Sequence, residues 1–166
     1  MKNFLFTLSA ILLVSCGETT QNKNTLTKSE NHFGTIEKDD TKSLAAKRFS
    51  KAYIENDLAS VSDLFTEDAK IMVNDSNLTF DELVAGFSEG FKYYENIHHM
   101  DVDAFTMNYD DGEVFTNYWY TWTATSKKTG DVLSLKGYCW FKWQGDKVVE
   151  VYNAFDPTVY NATISN

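Results

Sequence analysis

Cysteine is scarce in this sequence, and basic residues are fewer than acidic ones. The two cysteines differ in setting: Cys16 lies near the N-terminus and Cys139 inside an apolar run, so no disulfide is expected between them. Lys and Arg number 15 against 24 Asp and Glu, which gives a net charge of −9. A chain this acidic is expected neither to bind nucleic acid nor to adhere to anionic lipid through a basic patch.

Several catalytic motifs are also missing. The sequence contains no nucleophile elbow, no phosphate-binding glycine loop, no CxxC pair and no HExxH motif, so hydrolase, kinase and zinc-protease activities are disfavoured. His98 and His99 are adjacent in a predicted strand and point to opposite faces. A single His with carboxylates lacks the ligand set of a zinc site. We therefore expect neither a metal nor a cofactor.

Residues 1–15 have the features of an export signal. Lys2 gives a positive start, and a nearly continuous apolar run from Phe4 to Val14 follows; this run is too short to span a bilayer. It ends in Leu13-Val14-Ser15-Cys16, which resembles the lipobox of bacterial lipoproteins. The resemblance implies that Cys16 is lipidated and that the leader is cleaved before it. An ordinary secretory signal with an incidental Cys16 is the alternative.

Either alternative places the protein outside the cytoplasm. With the lipid, the expected location is the cell envelope, and Gly17 rather than Asp after the cysteine favours the outer membrane. Residues 16–42 then form the lipidated cysteine and a flexible tether, because this polar segment cannot bury enough apolar surface to order itself. The folded domain is predicted at 43–157, and residues 158–166 are a C-terminal tail.

Helices are predicted in the first half of the domain. Apolar residues recur at helical spacing from Ser43 to Asn56, and a second set follows at Leu58, Val61 and Leu64. A short strand comes next. Thr79 with Glu82 forms a capping box that predicts the start of a third helix.

The second half of the domain reads as strands. Ile97 to Tyr109 is followed by three runs rich in β-branched and aromatic residues, EVFTNYWYTWTAT, DVLSLKGYCWFKW and KVVEVYNAFD. Short polar breaks, KKTG and QGD, separate these runs and are typical of hairpins. Helices followed by consecutive strands predict an α+β fold, in which a curved antiparallel sheet is covered by three helices.

The segments AAKRFSKAYIENDLASVSDLFTEDAKIMV and GDKVVEVYNAFDP resemble the opening and the closing strand of the nuclear transport factor 2-like superfamily, which includes SnoaL-like polyketide cyclases and ketosteroid isomerase. The resemblance implies a cone-shaped pocket between sheet and helices and frequent dimers through the outer sheet face. Phe49, Val73 and Lys136 stand where the isomerase carries its tyrosine, its base and its protonated acid. Steroid-type isomerisation is therefore disfavoured.

The pocket face follows from strand alternation together with this resemblance. The resemblance turns Val151, Asn153 and Phe155 toward the cone, and a simple loop register adds alternate residues of the two preceding strands; an odd register would swap the faces. The predicted ligand-binding residues are His98, Trp119, Thr121, Tyr138, Trp140 and Asn153. The opposite face is also apolar, so we expect a homodimer through it.

Three functions fit the sequence. The leading interpretation is a membrane-anchored domain that binds a small, partly apolar molecule in its cone. A cofactor-independent SnoaL-like isomerase, cyclase or hydratase is the second, and it would need an inward acid or base from among His98, Asp156, Asp101 and Asp103. The third is a protein-interaction module that uses the outer sheet face. The sequence leaves open whether the protein is an enzyme.

Overall fold

The computed structural model describes residues 33–165. The predicted export signal, Cys16 and the tether up to residue 32 lie outside this range. In chain order the elements are β1 (Gly34–Lys38), α1 (Thr41–Ile54), a 3₁₀ helix (Leu58–Leu64), β2 (Phe65–Val73), β3 (Ser76–Leu78), α2 (Phe80–Gly90), β4 (Tyr94–Tyr109), β5 (Val114–Ser126), β6 (Val132–Gln144), β7 (Lys147–Phe155) and α3 (Thr158–Ser165).

All seven of these strands form one open, curved sheet in the order β1-β4-β5-β6-β7-β2-β3. The pairing is antiparallel except between β2 and β7, which run parallel, so the sheet is mixed rather than wholly antiparallel. The β4–β7 meander joins neighbouring strands by short turns, as the hairpin signals predict. The predicted α+β class, with a curved sheet under helices, is confirmed.

Helices α1 and α2 begin at side-chain caps. The Asp40 carboxylate accepts hydrogen bonds from the amides of Lys42 and Ser43 at 3.1 and 3.2 Å, and this starts α1. Thr79 and Glu82 form the predicted capping box at the start of α2. The helices and the inner sheet face enclose one core cluster, in which Phe141 and Val148 are almost fully buried.

Two stretches differ from the sequence-based expectation. Residues 34–38, assigned to the tether, form β1 and pair along the edge of the sheet with β4. All five are exposed, so the strand is held by backbone pairing and leaves no burial pattern in the sequence. Residues 158–165, assigned to the tail, form α3, whose Tyr160 packs against Tyr94 and Trp122 with ring centroids 4.8 and 5.7 Å apart.

Candidate functional site

A cavity of about 430 Å³ lies between the helices and the inner face of the sheet. α1 contributes Phe49 and Tyr53, the sheet contributes the rings of β5 and β6, and Tyr160 of α3 lines it as well. Aromatic and aliphatic side chains form most of the wall. Among the described residues that line it, none is Asp, Glu, Lys or Arg, so the wall carries no permanent charge.

The inward face of the sheet is not the one that simple alternation predicts. Tyr118 pairs with Cys139, and Cys139 pairs with Asn153, so these three side chains share the cavity face. The reason is a β-bulge in β7. Trp143 pairs with Val148 but Lys142 pairs with Glu150, which leaves Val149 as an extra residue and reverses the face of everything after it.

Because of this bulge, the side of β5 and β6 that was predicted to face the cavity faces outward. Asn153 lines the cavity as the sequence indicated, but the other predicted sheet residues, Trp119, Thr121, Tyr138 and Trp140, alternate with the lining residues and point outward. Trp119 is 47% exposed and stacks on Tyr138 with the ring centroids 4.1 Å apart. Their assignment to the cavity is therefore wrong.

His99, not His98, faces the cavity. Strict alternation from the buried Tyr94 would turn His98 inward. Asn96, however, has a φ of 52° at a shift in the pairing of β4 with β5, and this extra residue turns Ile97 and His99 inward instead. His99 then pairs with the inward-facing Trp122, and His98 is exposed. Asn is among the residues that tolerate a positive φ.

His99 belongs to a compact hydrogen-bonded cluster. Its Nδ1 lies 2.8 Å from the Ser50 Oγ and 3.3 Å from the Tyr118 hydroxyl, and Tyr118 donates to the Ser50 Oγ at 2.6 Å. The His99 ring stacks on Tyr120, with centroids 4.1 Å apart and planes 21° apart. Burial lowers the pKa of His99 from 6.5 to about 4, so the imidazole is neutral at physiological pH.

The tyrosines of the cavity are also held neutral. Tyr120 donates to the Asn153 Oδ1 at 2.8 Å, and the Trp122 Nε1 donates to the Tyr53 hydroxyl at 2.8 Å. Burial raises the pKa of Tyr53, Tyr118 and Tyr120, and also that of the Cys139 thiol. The site therefore presents hydroxyl, amide and imidazole groups without charge.

No protein-family model matches the chain, and no curated protein shows significant similarity to it. Solved structures do resemble it. A candidate polyketide cyclase from Xanthomonas campestris has 14% identity, a TM-score of 0.55 and coverage of 74% of this chain and 95% of that one. An NTF2-like protein of unknown function from Burkholderia pseudomallei has 16% identity, a TM-score of 0.56 and coverage of 74% and 96%.

A third structure agrees with these two. IdmH, a candidate polyketide cyclase from Streptomyces antibioticus, has 14% identity and a TM-score of 0.56, with coverage of 76% of this chain and 100% of that one. The chain has the nuclear transport factor 2-like fold. At these identities the likeness establishes the fold and no activity.

Within the nuclear transport factor 2-like fold, the carboxylates considered as catalytic groups lie away from the cavity. Asp101 accepts from Thr121 at 2.9 Å on the outer sheet face, Asp103 pairs with Lys38 at 2.7 Å, and Asp156 accepts from the Thr158 amide at 2.9 Å. None of these three candidates for an inward acid or base lines the cavity.

Of the three residues that match the isomerase site, two reach the cavity. Phe49 and Val73 line the cavity of this nuclear transport factor 2-like domain, whereas Lys136 lies outside it.

Among residues 33–165, no three His, Cys, Asp or Glu side chains converge on a possible metal position. In the same range, no helix has both the length and the apolar character needed to cross a membrane.

The sequence reading missed Ser50, His99, Tyr118 and Tyr120 as cavity residues. Helical spacing marked Phe49 and Tyr53 as the buried face of α1, and Ser50 lies between them on that face. The other three depend on the bulges in β4 and β7. Asn96 was a detectable signal, because an Asn within a strand marks a position that favours a turn or a bulge; Val149 gave none.

Proposed function

We propose that the cavity binds a small, uncharged and largely apolar molecule. The observation that supports this is a cavity of about 430 Å³ walled by aromatic rings and neutral polar groups. An ionised ligand would lose its hydration there without gaining a charged partner, which is costly in a wall of this kind. A neutral molecule loses little hydration and gains apolar contact along most of its surface.

A cofactor-independent SnoaL-like enzyme is the second candidate. His99 favours it, because this imidazole is the titratable group that meets both a serine and a tyrosine at the cavity wall. Proton transfer at neutral pH needs a pKa near the working pH, however, and burial lowers the pKa of His99 to about 4. Binding is therefore the better-supported function.

The binding proposal is tested with a neutral probe and an anionic probe of similar shape. 2-Acetylnaphthalene should bind saturably, one molecule per chain, in isothermal titration calorimetry, and 2-naphthoate should not. Gly86→Leu should weaken binding, because Gly86 lines the cavity and a Cβ there meets no atom within 4 Å. Gly86→Ala is the matched control and should bind as wild type. Equal binding of both probes, or none, contradicts the proposal.

We also propose a lipid anchor on Cys16, which is independent of the cavity. It is supported by the lipobox-like sequence Leu13-Val14-Ser15-Cys16 and would hold the domain at the cell envelope, with the outer membrane favoured. Cys16→Ser should move the protein from the membrane fraction to the soluble fraction of fractionated cells. An unchanged distribution contradicts the anchor and leaves the cavity proposal untouched.

We also propose a homodimer through the outer sheet face. Aromatic side chains gather there: Trp119 stacks on Tyr138, and Trp140 lies with its ring centroid 5.6 Å from that of Phe115 and 6.1 Å from that of Tyr152. A second copy would remove this apolar surface from water. An interaction module that binds another protein through the same face is the alternative.

A further inference from the structure

Three polar side chains of the cavity share one property that narrows the ligand further. In each, an acceptor atom takes part in a hydrogen bond within the protein, and an N–H donor has no acceptor in the part of the chain that the structure describes. The Asn153 Oδ1 accepts from the Tyr120 hydroxyl at 2.8 Å, and the Asn74 Oδ1 accepts from the Phe155 amide at 3.0 Å. Each amide oxygen already accepts one hydrogen bond, whereas no protein group among the described residues accepts from either NH₂, so Asn74 and Asn153 are left with free donors.

His99 has the same property, which follows from counting the protons in its hydrogen-bonded cluster. Nδ1, the Ser50 Oγ and the Tyr118 hydroxyl form a triangle with sides of 2.8, 2.6 and 3.3 Å. If Nδ1 carried a proton, neither hydroxyl could donate to it. The two hydroxyl hydrogens would then compete for the single contact between the Ser50 and Tyr118 oxygens, and one would lack a partner. If Nδ1 is unprotonated, both hydroxyl hydrogens are satisfied. Ser50 and Tyr118 are buried, so the satisfied arrangement is favoured.

The proton of the neutral imidazole is then on Nε2. Within residues 33–165, Nε2 has no hydrogen-bond partner, and neither have the NH₂ groups of Asn74 and Asn153. Every fully buried side-chain nitrogen or oxygen of this part of the chain does have one. The three donors are therefore not sealed in the protein interior, and all three residues line the cavity.

We propose that the cavity selects uncharged molecules that carry hydrogen-bond acceptors, such as a ketone, ester or ether oxygen, and that Ser50 and Tyr118 act as positioning residues by holding His99 in its Nε2–H tautomer. This rests on the proposed binding function and adds the chemical class of the ligand. A molecule whose polar atoms are donors alone would leave these N–H groups unpaired.

The tautomer is measured first, in ligand-free protein. Long-range ¹H–¹⁵N correlation spectra of ¹⁵N-histidine-labelled protein should show His99 as the Nε2–H form, with the signal assigned by its loss in His99→Phe. Tyr118→Phe should keep this form, because the Ser50 hydroxyl still donates to Nδ1. In the double variant Ser50→Ala/Tyr118→Phe, the Nδ1–H form should gain population. An Nδ1–H form in wild type, or an unchanged double variant, overturns the inference.

Ligand choice is measured with two probes of nearly the same shape, 2-acetylnaphthalene and 2-ethylnaphthalene, by calorimetry. Comparing each probe between wild type and His99→Phe cancels the difference in their hydrophobicity. The variant should weaken the ketone about tenfold, the loss of one hydrogen bond, and leave the hydrocarbon within about twofold. Equal changes for both probes overturn the inference while the binding proposal stands. If neither probe binds wild type, the binding proposal fails. The NMR measurement of the His99 tautomer still tests the hydrogen-bond assignment on its own.

Discussion

The imidazole of His99 is held neutral inside the cavity by its burial, and this makes stability depend on pH. In the folded protein the pKa of His99 is about 4 instead of 6.5. Between these two values the unfolded chain binds a proton that the folded chain does not. The free energy of unfolding therefore falls as the pH falls through this window.

Replacing His99 by Phe should remove this dependence. Phe keeps a ring against Tyr120 but cannot be protonated, so urea unfolding between pH 6.5 and 4 should show a shallower fall in stability than in wild type. His98→Phe, at an exposed neighbouring position, is the control and should retain the wild-type slope. A His99→Phe variant with that same slope would show that His99 is protonated in the folded state.

Gly137 makes room for the ring of Tyr120. A Cβ on Gly137 would lie 2.2 Å from the Tyr120 Cζ and 2.5 Å from its hydroxyl oxygen. Tyr120 is buried and bonded to Asn153, so the ring cannot move aside freely.

Gly137→Ala should therefore lower the free energy of unfolding by about 1–3 kcal/mol, the usual cost of overpacking a core. Gly86→Ala is the control, and its effect on the free energy of unfolding should have the opposite sign. It lies inside α2 with no atom within 4 Å of its Cβ, so it should raise stability by up to about 1 kcal/mol. Urea denaturation measures both, and a neutral Gly137→Ala would place the Tyr120 ring elsewhere.

At the scale of the elements, Asp40 connects the start of α1 to the sheet. Besides capping the helix, its Oδ1 accepts from the Thr106 hydroxyl at 2.8 Å. Thr106 in turn lies 2.9 Å from the Thr116 hydroxyl, which accepts from the Trp143 Nε1 at 2.9 Å. Thr106 and Thr116 are fully buried. This chain fixes α1 over β4, β5 and β6 and so helps to position the helix wall of the cavity.

Asp40→Ala should cost about 2–4 kcal/mol, the sum of a lost N-cap and a buried hydroxyl without its acceptor. Asp40→Asn should cost less than about 1 kcal/mol, because Asn also caps and keeps an acceptor. Both are measured by urea denaturation, and equal costs would contradict the shared role.

Asp40 also makes the free energy of unfolding fall at low pH, but its physical cause differs from that of His99. Partial burial would raise the pKa of Asp40, but hydrogen bonds from Ser43, Thr106 and the Lys42 amide outweigh it and lower the pKa below 3.8. The contribution of Asp40 is therefore complete above 3.8 and is lost as the pH falls through its folded pKa. Asp40→Asn should lack this acid-side loss.

The elements themselves could largely be predicted from the sequence, because helical spacing, the capping box at Thr79 and the hairpin breaks are local signals. The side of each strand that faces the cavity could not be predicted. One extra residue, Val149, reversed the inward side of two strands, and Val is as suitable for a regular strand as for a bulge. Asn96 did the same for His98 and His99. The edge strand β1 gave no apolar pattern to read, since all five of its residues are exposed.

At the scale of the whole molecule, the outer aromatic face should set the oligomeric state. Size-exclusion chromatography with light scattering should give a dimer at micromolar concentration. Trp119→Ala should shift it toward a monomer, because the substitution removes an indole that is 47% exposed on this face and packs against Tyr138. Leu44→Ala, at a residue of α1 that is 52% exposed and away from the sheet face, is the control and should remain dimeric. A monomeric wild type would contradict the dimer and favour the protein-interaction alternative.

We expect the cavity between helices and sheet, not the aromatic outer face, to hold an uncharged small molecule. Intermolecular nuclear Overhauser effects between 2-acetylnaphthalene and the protein test it most directly. Contacts are expected from the probe to the ring protons of Tyr118, Tyr120 and Trp122, which line the cavity. Contacts confined to Trp119 and Tyr138 would contradict it, because those rings lie on the other side of the sheet.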